Sequence, residues 1–365
     1  MRKYAKLSIA VFLFAAIASC KESSTNSQYD EYFINKDFNG SVLIVKEGKT
    51  VYQKNFGYAN IEDKKETNPN DTYLIGSITK QFTGLSISML QERKLLSTKD
   101  SIGKYYFNLP KAWAQSTISE VLSHSSGLPS FDDLPDDFTI EYPFSSEKLI
   151  DSIKNESLPF FEKGKFRYSE IGYVLLGNII SKVSGMSYSD FLSKNIFIPL
   201  KMDHTGCVTD SINLTTIGYA KSDDNSLYAV PFNFHTYADG NANLYSCAID
   251  LVKWNASIQE RKFVSDSTFN KWFAPYVEVT EQSEYEDKGD FLGYGWFMTM
   301  KEDSVLKAYH LGGVTGYKAS ITRFPKEQLL VLTLSNMEDE YSNKIRLEFP
   351  KLVHDNELKK NHNIN

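Results

Sequence analysis

The chain has 365 residues, 41% of them hydrophobic and 14% aromatic, enough to bury a large core in one or two domains. Its net charge is −6, and more negative by three if Arg2, Lys3 and Lys6 leave with a leader. That balance argues against the basic face a nucleic-acid partner requires, and three cysteines are too few for a disulfide scaffold.

The first residues, MRKYAK, run into the apolar LSIAVFLFAAIA and reach Ile17-Ala18-Ser19-Cys20. Basic residues, an apolar stretch too short to span a bilayer, and small residues before a cut make a secretory signal over residues 1–19. With cysteine directly after the small residues, the stretch resembles a bacterial lipoprotein signal. The resemblance implies that Cys20 is lipidated and becomes the first mature residue. The polar residues 20–33 then serve as a tether. The rest is expected to be a soluble domain in the cell envelope, on the periplasmic face or the outer membrane, with the lipid as its only membrane contact.

Residues 41–58, SVLIVKEGKTVYQKNFGY, give two β-rich runs around Glu47-Gly48-Lys49, a hairpin signal. From Thr79, FTGLSISMLQERKLL turns to helical spacing. YSEIGYVLLGNIISKVSGM predicts a helix stopping at Gly185, and SYSDFLSKNIF another closed by Pro199. AIDLVKWNASI is a third. Strand character returns in LGYGWFMTM, KAYHLGG, YKASITRF and QLLVLTLSN, the last two joined at Pro325-Lys326-Glu327, and a final helix is expected over about 342–353. Strands at both ends with helices between predict an α+β fold, one antiparallel sheet interrupted by a large helical insertion. No repeats or long low-complexity segments appear.

The chain lacks G-x-S-x-G, H-E-x-x-H, P-loop and G-x-G-x-x-G patterns, and its six histidines form no short-range metal pair. No metal or cofactor is expected. Within YLIGSITKQFT, Ser77 stands three residues before Lys80, but the same spacing recurs at Ser101/Lys104, Ser145/Lys148 and Ser304/Lys307. Position separates the first pair from the others. Gly76 precedes Ser77 and a helix begins just after, so unpaired N–H groups favour developing negative charge there. A lysine one turn on reaches the same face, and a buried amine is easier to deprotonate. A serine at that place could equally act as a helix cap.

The wider text carries a resemblance. GYANIEDKKETNPNDTYLIGS, YLIGSITKQFTGLSISMLQERKLLSTKDSI, VLSHSSGLPSF, FRYSEIGYVLLGNIISKVSGMSYSDFLSKNIFIPLKMDHTG, DGNANLYSCAIDLVKW and HLGGVTGYKASITRFP resemble, in this order, the serine β-lactamase-like superfamily. It includes class C β-lactamases, penicillin-binding D-alanyl-D-alanine carboxypeptidases, D-aminopeptidases and esterases. The matches span roughly residues 40–335. The resemblance implies the β-lactamase/transpeptidase-like fold, an antiparallel sheet flanked by helices from both chain ends. Its sheet part would cover about 34–100 and 285–365, and an inserted all-helical part about 101–284. It implies a serine hydrolase working through an acyl-enzyme, with Ser77 as nucleophile, Lys80 as its activator and Tyr168 as proton carrier. The substrate would be a small amide, a D-amino-acid peptide or an ester. A non-catalytic binding paralogue and a class C β-lactamase are the alternatives.

Two departures from the family pattern stand out. The Tyr-x-Asn element aligns at Tyr168-Ser169-Glu170, with glutamate in place of asparagine. Tyr58-Ala59-Asn60, Tyr106-Phe107-Asn108 and Tyr341-Ser342-Asn343 fit the pattern only out of context. A carboxylate cannot donate to an acyl oxygen, but it can pair with Lys80 or receive a cationic group of the substrate. Weak or absent β-lactam turnover follows. The Lys-Thr-Gly element is replaced by His310-Leu311-Gly312-Gly313, which removes a positive charge that helps hold a substrate carboxylate. His310 is expected to hydrogen-bond the tyrosine or the substrate. Gly312 and Gly313 would allow close backbone approach, with the N–H groups of Ser77 and Gly313 forming an oxyanion hole. His124 and the His204-Thr205-Gly206 loop are family landmarks, not catalytic groups.

Overall fold

A computed structural model of the chain describes residues 26–141, 144–208, 213–224, 226–281, 287–338 and 340–362. The expected signal, Cys20 and the start of the tether lie outside the described residues.

The framework is one antiparallel sheet of eight strands. They are β1 (Gly40–Lys46), β2 (Lys49–Phe56), β3 (Val277–Glu278), β4 (Phe291–Leu292), β5 (Phe297–Lys301), β6 (Ser304–Val314), β7 (Tyr317–Phe324) and β8 (Leu329–Ser335). They lie in the order β3-β4-β5-β6-β7-β8-β1-β2, so the two ends of the chain meet where β1 pairs with β8, Gly40 opposite Ser335. The β1–β2 turn places Glu47 (φ +50°) and Gly48 (φ +75°) in the left-handed region, the tight hairpin turn expected there.

Both faces of the sheet are covered, which explains the unbroken apolar run SVLIV. Val42 and Ile44 point to one core, with Phe33, Phe56, Val331, Ile345 and Phe349; Leu43 and Val45 point to the other, with Leu330, Leu332 and Leu334. The second core continues into the helices that carry the site: α1 (Thr79–Glu92), α2 (Glu170–Ser184) and α3 (Ala248–Gln259). α1 is buried from Thr79 to Leu90, and Phe82 stacks on Trp254 of α3 at 4.1 Å. α2 ends at Gly185 with φ +70°, as its sequence predicts.

Several expectations need correction. The tether is shorter than residues 20–33, because 26–34 form a helix whose Tyr29 and Phe33 are buried against Phe349 of α4 (Glu340–His362). The insertion is not all helical. Leu244–Ser246 pairs with Tyr73–Leu74 and with Gly206–Cys207, and Tyr219–Lys221 pairs with Leu227–Ala229 and Met337–Glu338. The sheet resumes at Val277, ahead of residue 285. Pro199 does not close its helix; it sits in the first turn of Ile198–Leu200, where its missing N–H is not needed, and Lys201 (φ +54°) ends the element. LGYGWFMTM is two strands around a loop, because Gly295 (φ +79°) folds onto α1. A Cβ there would lie 2.5 Å from the Lys80 carbonyl oxygen. α4 runs past residue 353 and contains Pro350, held by Ile345, Phe349 and Val353 packing on the sheet.

Candidate active site

A 3₁₀ turn, Gly76–Ile78, leads straight into α1, and no side chain caps either element. The Ser77 hydroxyl is therefore not a cap; Lys80 Nζ donates to its Oγ at 2.9 Å. Glycine is required before it. Gly76 has φ +50°, and a Cβ would stand 2.6 Å from Gly313 N. That close packing brings the turn against β6, and Ser77 and Gly313 line the same cleft of about 990 Å³.

Lys80 has no exposed surface, and burial pulls its ammonium down to about 7, with Glu170 acting weakly in the other direction. Its other hydrogen-bond partner is Asn241, whose Oδ1 accepts at 2.5 Å and whose backbone oxygen accepts at 3.4 Å. Two glycines seat Asn241 there. A Cβ on Gly177 of α2 would lie 2.8 Å from Asp239 O, and one on Gly240 (φ +81°) 2.4 Å from Tyr173 O, so the loop lies directly on the helix.

Tyr168 lies just before the Ser169 cap of α2, and Ser169 Oγ accepts from Gly172 N–H while donating to Pro129 O at 2.6 Å. Lys80 Nζ sits 4.9 Å from the Tyr168 ring centre. His124 also supports the ring, stacked on it at 4.2 Å. His124 Nδ1 accepts from Ser169 N–H at 3.0 Å, and burial holds the imidazole neutral. Its role is to fix the loop that presents Tyr168, and it does not line the cleft.

Glu170 is the first residue of α2 and lines the cleft. Its carboxylate accepts from Phe131 N–H at 3.3 Å and is not ion-paired with Lys80, which it reaches only through space. The pairing with Lys80 considered from the sequence does not form, because Asn241 fills that position.

On β6, His310 Nδ1 lies 2.7 Å from the Leu311 carbonyl oxygen and so carries the proton, leaving Nε2 as an acceptor. Burial holds its pKa near 3, so the ring is neutral at any working pH. Its ring lies 6.4 Å from that of Tyr168. Gly312 is obligatory, since a Cβ would fall 2.0 Å from Ile75 O, whereas a Cβ on Gly313 would meet nothing closer than Lys318 Nζ at 3.5 Å and Arg346 Nη1 at 3.7 Å.

Those two cations correct a second expectation. Replacing the family lysine by His310 does not leave this end of the cleft without positive charge. Lys318 is paired with Glu338 at 2.8 Å, Arg346 Nη1 donates to Gly312 O at 3.1 Å, and both line the cleft. Sequence reasoning missed them and Asn241. The hairpin register could have found Lys318, which lies directly opposite Gly313. Asn241 is 161 residues from Lys80 and carries no spacing signal.

The remaining sequence candidates fall elsewhere. His204 N–H and Thr205 Oγ1 bond to the buried Asp250 of α3. Tyr58 and Tyr106 are not among the described cleft residues, and the Tyr341 side chain lies outside the described residues. Cys207 and Cys247 are buried and free.

Residues 36–348 match the family model described as Beta-lactamase. Penicillin-binding protein 4* of Bacillus subtilis is 29% identical over 328 residues, covering 83% of this chain and 69% of that protein. Protein flp of Staphylococcus aureus is 27% identical over 329 residues, covering 86% of this chain and only 61% of that protein. Among solved structures, the octameric penicillin-binding protein homologue from Pyrococcus abyssi superposes with a TM-score of 0.78 at 28% identity, covering 91% of this chain and 77% of that one. A D-amino acid amidase from Ochrobactrum anthropi gives 0.75 at 21% identity, covering 92% and 98%, a likeness of fold alone. With a family match across most of its length and the expected fold, the chain belongs to the Beta-lactamase family.

Proposed function

We propose that the protein is a serine hydrolase that acts through an acyl-enzyme on a small amide, a D-amino-acid peptide or an ester. The observation that carries this reading is the buried Lys80 amine, brought down to about 7 and 2.9 Å from Ser77 Oγ. A neutral amine has two N–H groups and one lone pair. The two oxygens of Asn241 occupy the N–H groups, which leaves the lone pair for the Ser77 hydroxyl proton. Ser77 Oγ then attacks the carbonyl carbon while its proton passes to Lys80 Nζ. The oxyanion is stabilised by the N–H groups of Ser77 and Gly313. Tyr168, between Lys80 and His310, relays the proton to the departing amine or alcohol. Water repeats the sequence on the ester and releases the acid. The Glu170 carboxylate repels the acyl-amide oxygen of a β-lactam, which disfavours a β-lactamase.

A lipid anchor at Cys20 in the cell envelope is part of the same proposal, resting on residues 1–20. A fluorophosphonate probe tests the chemistry. It labels the wild-type protein, and Ser77→Ala abolishes the label without changing the thermal midpoint by more than a degree or two. Folded wild-type protein that takes no label would favour the non-catalytic binder.

A further inference from the structure

The cleft is charged in an asymmetric way. At its β6 end stand Lys318 and Arg346, with Glu338 between them. At its α2 end the charged and titratable lining residues include Asp132, Lys165, Arg167, Glu170 and His235. The cations at that end are already committed: Arg167 forms a two-pronged pair with Asp133 at 2.8 Å, and Lys165 pairs with Glu162 at 2.7 Å. His235 is held below its ordinary pKa by burial, so it is neutral near pH 7 despite Glu170 nearby. Among the described residues Glu170 thus meets one backbone N–H, at 3.3 Å, and its carboxylate borders the cleft that holds Ser77. A carboxylate has room for about four hydrogen bonds, so most of its capacity faces the ligand space.

We infer that Glu170 is a receptor for a free ammonium group on the acyl portion of the substrate, so that the preferred acyl donors are aminoacyl amides or esters with an unblocked α-amine. The inference rests on the hydrolase reading above and deepens it. The ligand's cation would supply the charged partner the protein leaves out at this end, and the hydrogen bond would be charge-assisted at both atoms. An N-acylated donor loses that bond and presents an amide oxygen that the carboxylate repels.

Protection of Ser77 from a fluorophosphonate separates the two readings. Three competitors of similar size serve: alaninamide in both configurations, N-acetylalaninamide, and propionamide, which lacks the amine. Alaninamide of one configuration should protect at about one tenth of the concentration needed for propionamide or below, the worth of a charge-assisted hydrogen bond. Glu170→Gln keeps the shape and the Phe131 contact and should bring the three competitors to within about twofold of each other. Equal protection by alaninamide and propionamide in the wild type overturns the inference, while labelling still supports the hydrolase. If Glu170→Gln fails to fold, the wild-type comparison decides alone. Absence of labelling removes the hydrolase reading and the inference with it.

Discussion

Asn241→Asp is the most direct test of how Lys80 is tuned. In the wild-type protein, burial brings the amine to about 7, so about half of it is neutral at pH 7. The substitution puts a carboxylate oxygen where an amide oxygen now accepts at 2.5 Å. An opposite charge at that range raises a lysine by about one to three pH units. The neutral fraction at pH 7 then falls from about one half to between about 9% and 0.1%, a loss of roughly five- to five-hundredfold in acylation rate. The rate should recover as pH rises. The assay is the pseudo-first-order rate of fluorophosphonate labelling between pH 5 and 10. Wild type should give a single rise centred near 7. The groups facing Lys80 are Glu170, Tyr168, Tyr173, His124, His235 and His310. His124 and His310 are neutral across this window, and burial holds His235 below its ordinary value, so none of the three produces a rise centred near 7. Asn241→Ala removes one of the two acceptors without adding charge, so it should lower the plateau and leave the midpoint near 7. An Asn241→Asp profile with the wild-type midpoint would refute the reasoning.

Two further outcomes follow from packing and linkage. Gly312→Ala drives a Cβ to 2.0 Å from the Ile75 carbonyl oxygen, a backbone atom that cannot swing away. It should destabilise the protein by about 1–3 kcal/mol, read as a lower thermal midpoint, and an unchanged midpoint would show that β6 and the Ser77 turn are not so closely seated. Lys80→Met should raise the thermal midpoint at pH 6, because below about 7 both folded and unfolded lysine are charged and only the folded state bears the burial penalty. Between about 7 and 10.5 the unfolded state holds more protons, so wild-type stability rises with pH and the gain from Lys80→Met shrinks. The gap between those values sets an upper bound on the order of 5 kcal/mol, and a gain independent of pH would refute the assignment.

The framework was legible because hydrophobic patterning is local. The β1–β2 hairpin, α1, the Gly185 stop of α2 and the β7–β8 turn all follow from spacing and turn residues within a few positions. Errors arose where tertiary contacts overrode local signals. Pro199 reads as a breaker, yet its place in a first helical turn absorbs it into helix. Gly295 interrupts an apparent strand because the chain there must meet α1. In the site, Ser77, Lys80 and Tyr168 came from ordered family segments. Asn241, although inside the family-like segment DGNANLYSCAIDLVKW, and Arg346 were not singled out, because what makes them neighbours of the site is the fold and not spacing along the chain.

This difference bears on the one residue that departs from the family pattern in the helical wall. The resemblance implies that an asparagine at position 170 would both contact the lysine and donate to the substrate's acyl oxygen. Here those duties are separated. The lysine contact belongs to Asn241, on a loop held against α2 by Gly177 and Gly240, and it uses only oxygen acceptors. Residue 170 is thereby free of the lysine, and a glutamate there does not form the ion pair that would hold Lys80 protonated. Had Glu170 formed that pair, the amine would not stand near 7, since a contact carboxylate opposes the effect of burial. The substitution therefore does not by itself disable the nucleophile. On the reading proposed above, it changes what the cleft asks of the acyl group, from an acceptor oxygen to a donor cation, and its consequence would lie in substrate choice.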